Sequence, residues 1–109
     1  MFGLGGLKDI GNMMKMASQL KENMALAQAR AKNRTASGES GAGMVKATAN
    51  GIGEIVSVYI DPEALKDPET LGTLIVAATN LALLKGKEIL AEETKTAMGG
   101  MDLPPGLLP

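Results

Sequence analysis

Residues 38–62, Gly-Glu-Ser-Gly-Ala-Gly-Met-Val-Lys-Ala-Thr-Ala-Asn-Gly-Ile-Gly-Glu-Ile-Val-Ser-Val-Tyr-Ile-Asp-Pro, decide the fold of this chain. In order they read as a glycine-rich bend, a strand, a tight turn, a second strand and the start of a helix. Asn50-Gly51 between two β-branched apolar runs is the strongest short-range hairpin signal, because both residues tolerate the positive φ that a two-residue turn demands. With that turn, Ala49 faces Ile52, Ala47 faces Glu54, Val45 faces Val56 and Gly43 faces Val58. Directly opposed residues share a face. One face therefore carries Val45, Ala47, Ala49, Ile52, Val56, Val58 and Ile60, apolar apart from Glu54 near the tip. Met44, Lys46, Thr48, Ile55, Ser57 and Tyr59 take the other. This alternation predicts a sheet with one buried side and one half-covered side. Tyr59, a lone aromatic on a mixed face, reads as packing.

Upstream, the segment from about Leu7 to Asn33 is free of proline and rich in Met, Ala, Leu, Lys and Gln, all good helix formers. Met13, Met16, Leu20, Met24, Ala27 and Ala31 alternate steps of three and four and so keep to one stripe. A helix of that length extends about 40 Å, longer than a small domain needs to cover its own sheet, so part of it should project or pair with a partner. Thr35 to Gly43 is open to three readings: a linker, a short edge strand with a bulge, or a loop near phosphate. A nucleotide loop is set aside, since no Gly-Lys-Ser/Thr follows at the required spacing and the third glycine of a dinucleotide fingerprint is missing.

Downstream, Asp61-Pro62 and Asp67-Pro68 both look like helix starts, with Asp as N-cap and Pro at the first helical position. The first predicts only a turn over Glu63 to Lys66. The second opens a helix from about Pro68 to Ala97, helped by Glu69 near its positive end. Between Leu74 and Leu84 this helix is apolar on nearly every side. A helix of that kind must be covered on every side, and one three-stranded sheet covers only one. The expectation is an obligate homodimer whose interface includes this helix and the sheet.

Composition narrows the function. A chain of 109 residues holds one domain, here expected over residues 1–98, with a flexible Gly/Pro-rich tail over 99–109. One Tyr, one Phe and no Trp leave a thin core of small residues. With neither Cys nor His, disulfides, thiolate chemistry and the usual metal ligands are gone, and no cofactor, metal or catalytic residue is expected. The acid pairs Glu92-Glu93 and Glu63 with Asp67 do not make a catalytic pair, because helix neighbours point apart and acids near helix starts serve capping. No apolar run reaches the roughly 20 residues of a membrane span, and the N-terminus lacks a signal-peptide pattern. A cytoplasmic protein with no membrane and no small-molecule substrate is expected.

Net charge is −1, but it is unevenly spread. Met1 to Ala36 holds six bases against Asp9 and Glu22, while from Asp61 onward eight acids face four bases. A positive arm on an acidic body permits local binding of a polyanion. Taken alone, the same pattern describes a solvated helix face, with Arg30 and Lys32 answering the dipole at a helix C-terminus.

The run Gly38-Glu39-Ser40-Gly41-Ala42-Gly43, the strand start Val45-Lys46, the turn Asn50-Gly51 and the close Ile60-Asp61-Pro62 together resemble the YbaB/EbfC family of nucleoid-associated proteins. The ending Met101-Asp102-Leu103-Pro104-Pro105-Gly106 is similar to that family's Pro-Pro-Gly tail. The resemblance implies an α+β fold of helix, antiparallel strands and helix, forming an intertwined homodimer whose paired helices project like tweezers from a shared sheet. It also implies binding of double-stranded DNA by those helices, and a role in nucleoid organisation and gene regulation. From charge, Lys15, Lys21, Arg30, Lys32 and Arg34, with Lys85 and Lys87 on the last helix, are the candidate DNA contacts. Phosphate and groove-shape recognition is expected, because no aromatic platform or base-reading motif is visible. Val56, Val58, Ile60, Leu74, Ile75, Ala78 and Leu81 are the candidate dimer contacts. The alternative is a dimeric protein-interaction module whose Met-rich helix docks on a partner and whose DNA affinity is incidental.

Overall fold

A computed structural model describes residues 4–99 of the chain. The tail beyond Gly99, expected to be flexible, lies outside the described residues. A 30-residue helix α1, Leu4–Asn33, leads into strands β1 (Thr35–Ser40), β2 (Val45–Asn50) and β3 (Ile55–Ile60). A short 3-10 turn, Pro62–Lys66, precedes a second 30-residue helix α2, Pro68–Ala97. The strands form an antiparallel sheet in the order β1-β2-β3. The fold is α+β as expected, and both Asp-Pro pairs open helical segments. Among the described residues no helix is long and apolar enough to cross a membrane.

Of the three readings of residues 35–43, the edge strand holds. β1 ends at Ser40, and a turn over Gly41–Met44 joins it to β2. Gly41, Ala42 and Gly43 all take positive φ, at 60°, 55° and 89°. This is why the run is built from glycine and its smallest neighbour.

The Asn50-Gly51 hairpin is present, but its loop is longer than the two residues expected. Asn50 N–H donates to the Glu54 carbonyl at 2.9 Å, enclosing Gly51, Ile52 and Gly53, and Gly53 takes φ +87°. Three-residue loops of this kind place a left-handed residue last, where glycine costs least. Buried Asn50 is the organiser rather than a turn residue: its Oδ1 accepts from Ile52 and Glu54 N–H at 3.1 and 3.0 Å, and its Nδ2 donates to Glu54 Oε1 at 2.7 Å. The longer loop makes Ala49 face Ile55, and a bulge between Thr48 and Ala49 then makes Ala47 face Val58 and Val45 face Ile60. The loop alone would shift the register by an odd number and turn β3 over. One extra residue at the bulge restores the parity, so Val58 and Ile60 still share a face with Ala47 and Val45.

The covered face is made of small residues. Ala36, Gly38 and Ser40 of β1 oppose Ala49, Ala47 and Val45 of β2. Against them lie Ala78 and Ala82 of α2, with Val45, Ala47, Ala49, Ala78 and Ala82 fully buried. A Cβ built on Gly38 would stand 2.6 Å from both the Ala78 carbonyl oxygen and the Ala82 nitrogen. One on Gly86 would stand 2.5 Å from the Asn50 carbonyl oxygen. Helix and sheet thus touch backbone to backbone. The Ser40 hydroxyl donates to the Leu74 carbonyl at 2.6 Å at the same seam. Because the helix is drawn in over β1 and β2, β3 is left uncovered, and the expectation of one fully buried face fails there: Val56 is 53% exposed and Val58 41%.

α1 leaves the body at a fixed angle. Gly51 N–H donates to the Ala31 carbonyl at 2.8 Å, so the hairpin loop caps the helix C-terminus, where carbonyls otherwise lack partners. Asn23 Nδ2 donates to the Ala97 carbonyl at 3.2 Å, which caps α2 in return and places the two helices antiparallel. Ala27 and Ala31 are buried, and every described residue from Asp9 to Glu22 is exposed. The molecule measures 76 by 23 by 19 Å, and a body this thin is that long because α1 runs on past the end of α2.

Two predictions follow from these contacts. Gly38→Ala should destabilise the fold by about 1–3 kcal/mol through overpacking, while Gly72→Ala, with open space around its Cβ, should stabilise it by about 0.5–1 kcal/mol. Chemical denaturation of both variants checks this. The Thr70 hydroxyl, at 2.7 Å, and the Thr70 N–H hold the Asp67 carboxyl below its ordinary range. A group depressed in the folded state stabilises above its unfolded pKa and loses that contribution as pH falls through the folded value. The deficit in melting temperature of Asp67→Ala should therefore be full at neutral pH and close progressively below about pH 4.

Candidate nucleic-acid interface

The projecting part of α1 carries Lys15 and Lys21, and its last turn carries Arg30 and Lys32; all four are exposed. Among the described residues none of the four forms an ion pair. Eleven residues separate Lys21 from Lys32, which is three turns and about 16 Å along one flank. Lys15 and Arg30 ride the opposite flank. The stripe between the flanks holds Ala31, Ala27, Leu20 and Met16, and its C-terminal part is turned toward α2. The arm therefore offers positive charge on two sides and an apolar seam between them.

Arg34 is different. It sits just past α1, and its guanidinium bridges to α2 through Glu92 at 2.9 Å and Glu93 at 3.1 Å. These bonds, the one to Glu92 foremost, raise its pKa further above its already high ordinary value. Two carboxylates answer one cation here, so Arg34 fastens the helix ends together and presents little net positive charge. Sequence distance concealed this, since the partners are 58 and 59 residues away. Lys85 and Lys87 are exposed on α2. Gly86 between them faces Asn50, so the two lysines leave the helix on either side of the sheet contact.

The residues expected at a dimer contact fall into two groups. Val56, Val58 and Leu81 are exposed, and Ile60 is half-buried at the end of β3. Leu74 and Ile75 are half-buried against the core, and Ala78 is fully buried beneath its own sheet. On β3 and α2, the exposed large apolar residues that the candidate set omits are Ile55 and Tyr59, and Val76 (59%) and Leu84 (57%) on the outward side of α2. The all-round apolar character of residues 74–84 already contained the signal for Val76 and Leu84. Among the described residues no group of three or more Asp or Glu could hold a metal ion.

An α+β body with an uncovered apolar strand and a long basic helix standing off it defines the class of architecture. The YbaB/EbfC DNA-binding family matches residues 6–101, and the chain belongs to that family. A nucleoid-associated protein of Caldanaerobacter subterraneus is 42% identical over 104 residues, which is 94% of each chain. A nucleoid-associated protein of Thermoanaerobacter pseudethanolicus is 39% identical over the same length and share. The crystal structure of an uncharacterized protein from Helicobacter pylori is similar to this fold with a TM-score of 0.52 at 28% identity, covering 84% of this chain and 98% of that one.

The Arg34 geometry separates two roles by a stability measurement. Arg34→Ala should lower the melting temperature measurably, because it leaves both Glu92 and Glu93 without the cation that bridges them to α1. Lys32→Ala, on an exposed and unpaired side chain, should leave it unchanged.

Proposed function

We propose that this protein binds double-stranded DNA as a homodimer in the nucleoid of the cytoplasm, organising DNA there and influencing the expression of nearby genes. The observation that carries the reading is the conjunction, in a member of a DNA-binding family, of an arm with unpaired bases on both flanks and a body with an uncovered apolar edge. DNA contact is through phosphate and groove shape. Lys15, Lys21, Arg30 and Lys32 are the principal contacts, Lys85 and Lys87 lie nearer the body, and Arg34 holds the arm in place.

The partner subunit covers β3 and the outward side of α2. The β3 strand, Ile-Val-Ser-Val-Tyr-Ile, has no charge, no proline and a free row of backbone donors and acceptors, which is a template for pairing with another strand. Val56, Val58, Ile60 and Leu81 belong to this contact, and Leu74 and Ile75 lie at its margin. Ala78 supports it from beneath.

A salt titration of duplex binding tests the DNA reading. Affinity should fall steeply as salt rises, because each neutralised phosphate releases counterion. In a dimer one substitution removes two contacts, so Lys21→Ala should reduce the magnitude of the log–log slope by about 1.8. Weak binding that is indifferent to salt would instead favour a protein-interaction module. For the assembly, Val56→Lys together with Val58→Lys should convert the dimer to a monomer in sedimentation and weaken duplex binding. Retention of the dimer would remove β3 from the interface.

A further inference from the structure

The apolar stripe by which α1 packs on α2 does not stop where α2 stops. Ala31 and Ala27 are buried, and Asn23, level with the last residue of α2 through its bond to the Ala97 carbonyl, is half-buried. Stepping onward by three and four, the same stripe continues through Leu20, Met16 and Met13. Their exposure climbs from 37% to 65% and 68% as the cover runs out. A groove opens at this step, lined by Met16, Leu20 and Asn23 of α1 and by Ala97 and Met98 at the end of α2. The interface between the helices is thus continuous with an uncovered apolar surface of the same geometry.

The chain leaves α2 beside this groove. Gly99, with φ +65°, turns it off the end of α2 at the groove's edge. The next ten residues are Gly-Met-Asp-Leu-Pro-Pro-Gly-Leu-Leu-Pro, apolar except for Asp102. We propose that residues 100–109 of the same chain seat along Leu20, Met16 and Met13, continuing the strip of cover that α2 begins. Reach is ample: Leu20 to Met13 spans about 10 Å of helix, and ten extended residues span about 30 Å. A Pro-Pro pair such as 104–105 favours extended conformations, which lowers the entropy lost on docking. Met101, Leu103, Leu107 and Leu108 supply the apolar contacts. Asp102 is opposite in sign to Lys15 and Lys21 of the arm. Seated in this way, the segment shields the methionines and braces the arm, leaving its basic flanks free.

This inference does not depend on DNA binding or on dimer formation, and it is tested without DNA. The chain has no cysteine, so Leu107→Cys accepts a single nitroxide label, read by the methyl signals of isotopically labelled methionine. Met13 and Met16 should lose most of their intensity, while Met44, in the turn before β2, should keep its own. Truncation after Gly99 should shift the Met13 and Met16 signals and leave Met44 in place. Unchanged Met13 and Met16 signals on truncation would overturn the proposal. So would broadening seen in a mixture where the nitroxide and the isotope lie on different chains, since that would put the tail on a neighbour.

Discussion

The structure depends on one close approach: the backbone of α2 lies directly on the backbone of β1 and β2, with no side chain larger than a methyl group between them at the centre. Gly38 beneath Ala78 and Ala82, and Gly86 above Asn50, permit it. A chain with almost no aromatic residues cannot build a thick core, and interiors must still reach near-crystalline packing density. Bringing the layers together until alanines fill the gap solves that problem. Dispersion contacts and the Ser40 to Leu74 hydrogen bond then replace the bulk that Phe or Trp would have supplied.

The same approach fixes what remains uncovered. A helix held tightly over β1 and β2 cannot also reach β3, so Ile55, Val56 and Val58 stay exposed, as do Tyr59 on the opposite face of the sheet and Val76 and Leu84 on the far side of α2. Covering the exposed half of each such side chain is worth about 1 kcal/mol. In a twofold pair these six residues occur twice, giving a gain of the same order as the roughly 4–15 kcal/mol cost of association. The α2 residues alone reach only the low end of that range and the β3 residues only its middle, which argues that the proposed dimer uses both surfaces along with the free hydrogen-bonding edge of β3.

Most of this architecture is legible in the residues. Helix periodicity, the two Asp-Pro caps and the hairpin site each rest on local chemistry, and α2 begins at Pro68 and ends at Ala97 as its caps and composition indicate. What escapes is set by contacts distant in sequence. The hairpin loop takes three residues because Gly51 is committed to the Ala31 carbonyl and to the space beside Ile89, and Asn50 then closes the loop on Glu54. No two-residue pattern reports such a commitment. The role of Arg34 escapes for the same reason. As one base in a basic cluster it reads as a phosphate ligand, and only the fold brings Glu92 and Glu93 to it.

Arg34 and Gly51 also explain why a helix that leaves the body can serve as a positioned arm. An isolated helix end frays and swivels, yet α1 is tied at its base by the loop cap on Ala31 and by the Arg34 bridge, and eight residues nearer its tip than Ala31 by Asn23 on Ala97. These ties connect the arm to the hairpin and to α2, the two elements that border the proposed dimer surfaces. In the proposed dimer, the separation of the two arms is then a property of the core and not of a hinge. In the proposed complex, the bases Lys15 and Lys21 reach a duplex at a spacing that the Gly38–Ala78 contact ultimately sets. Substitutions that thicken that seam would move the arms as well as loosen the fold.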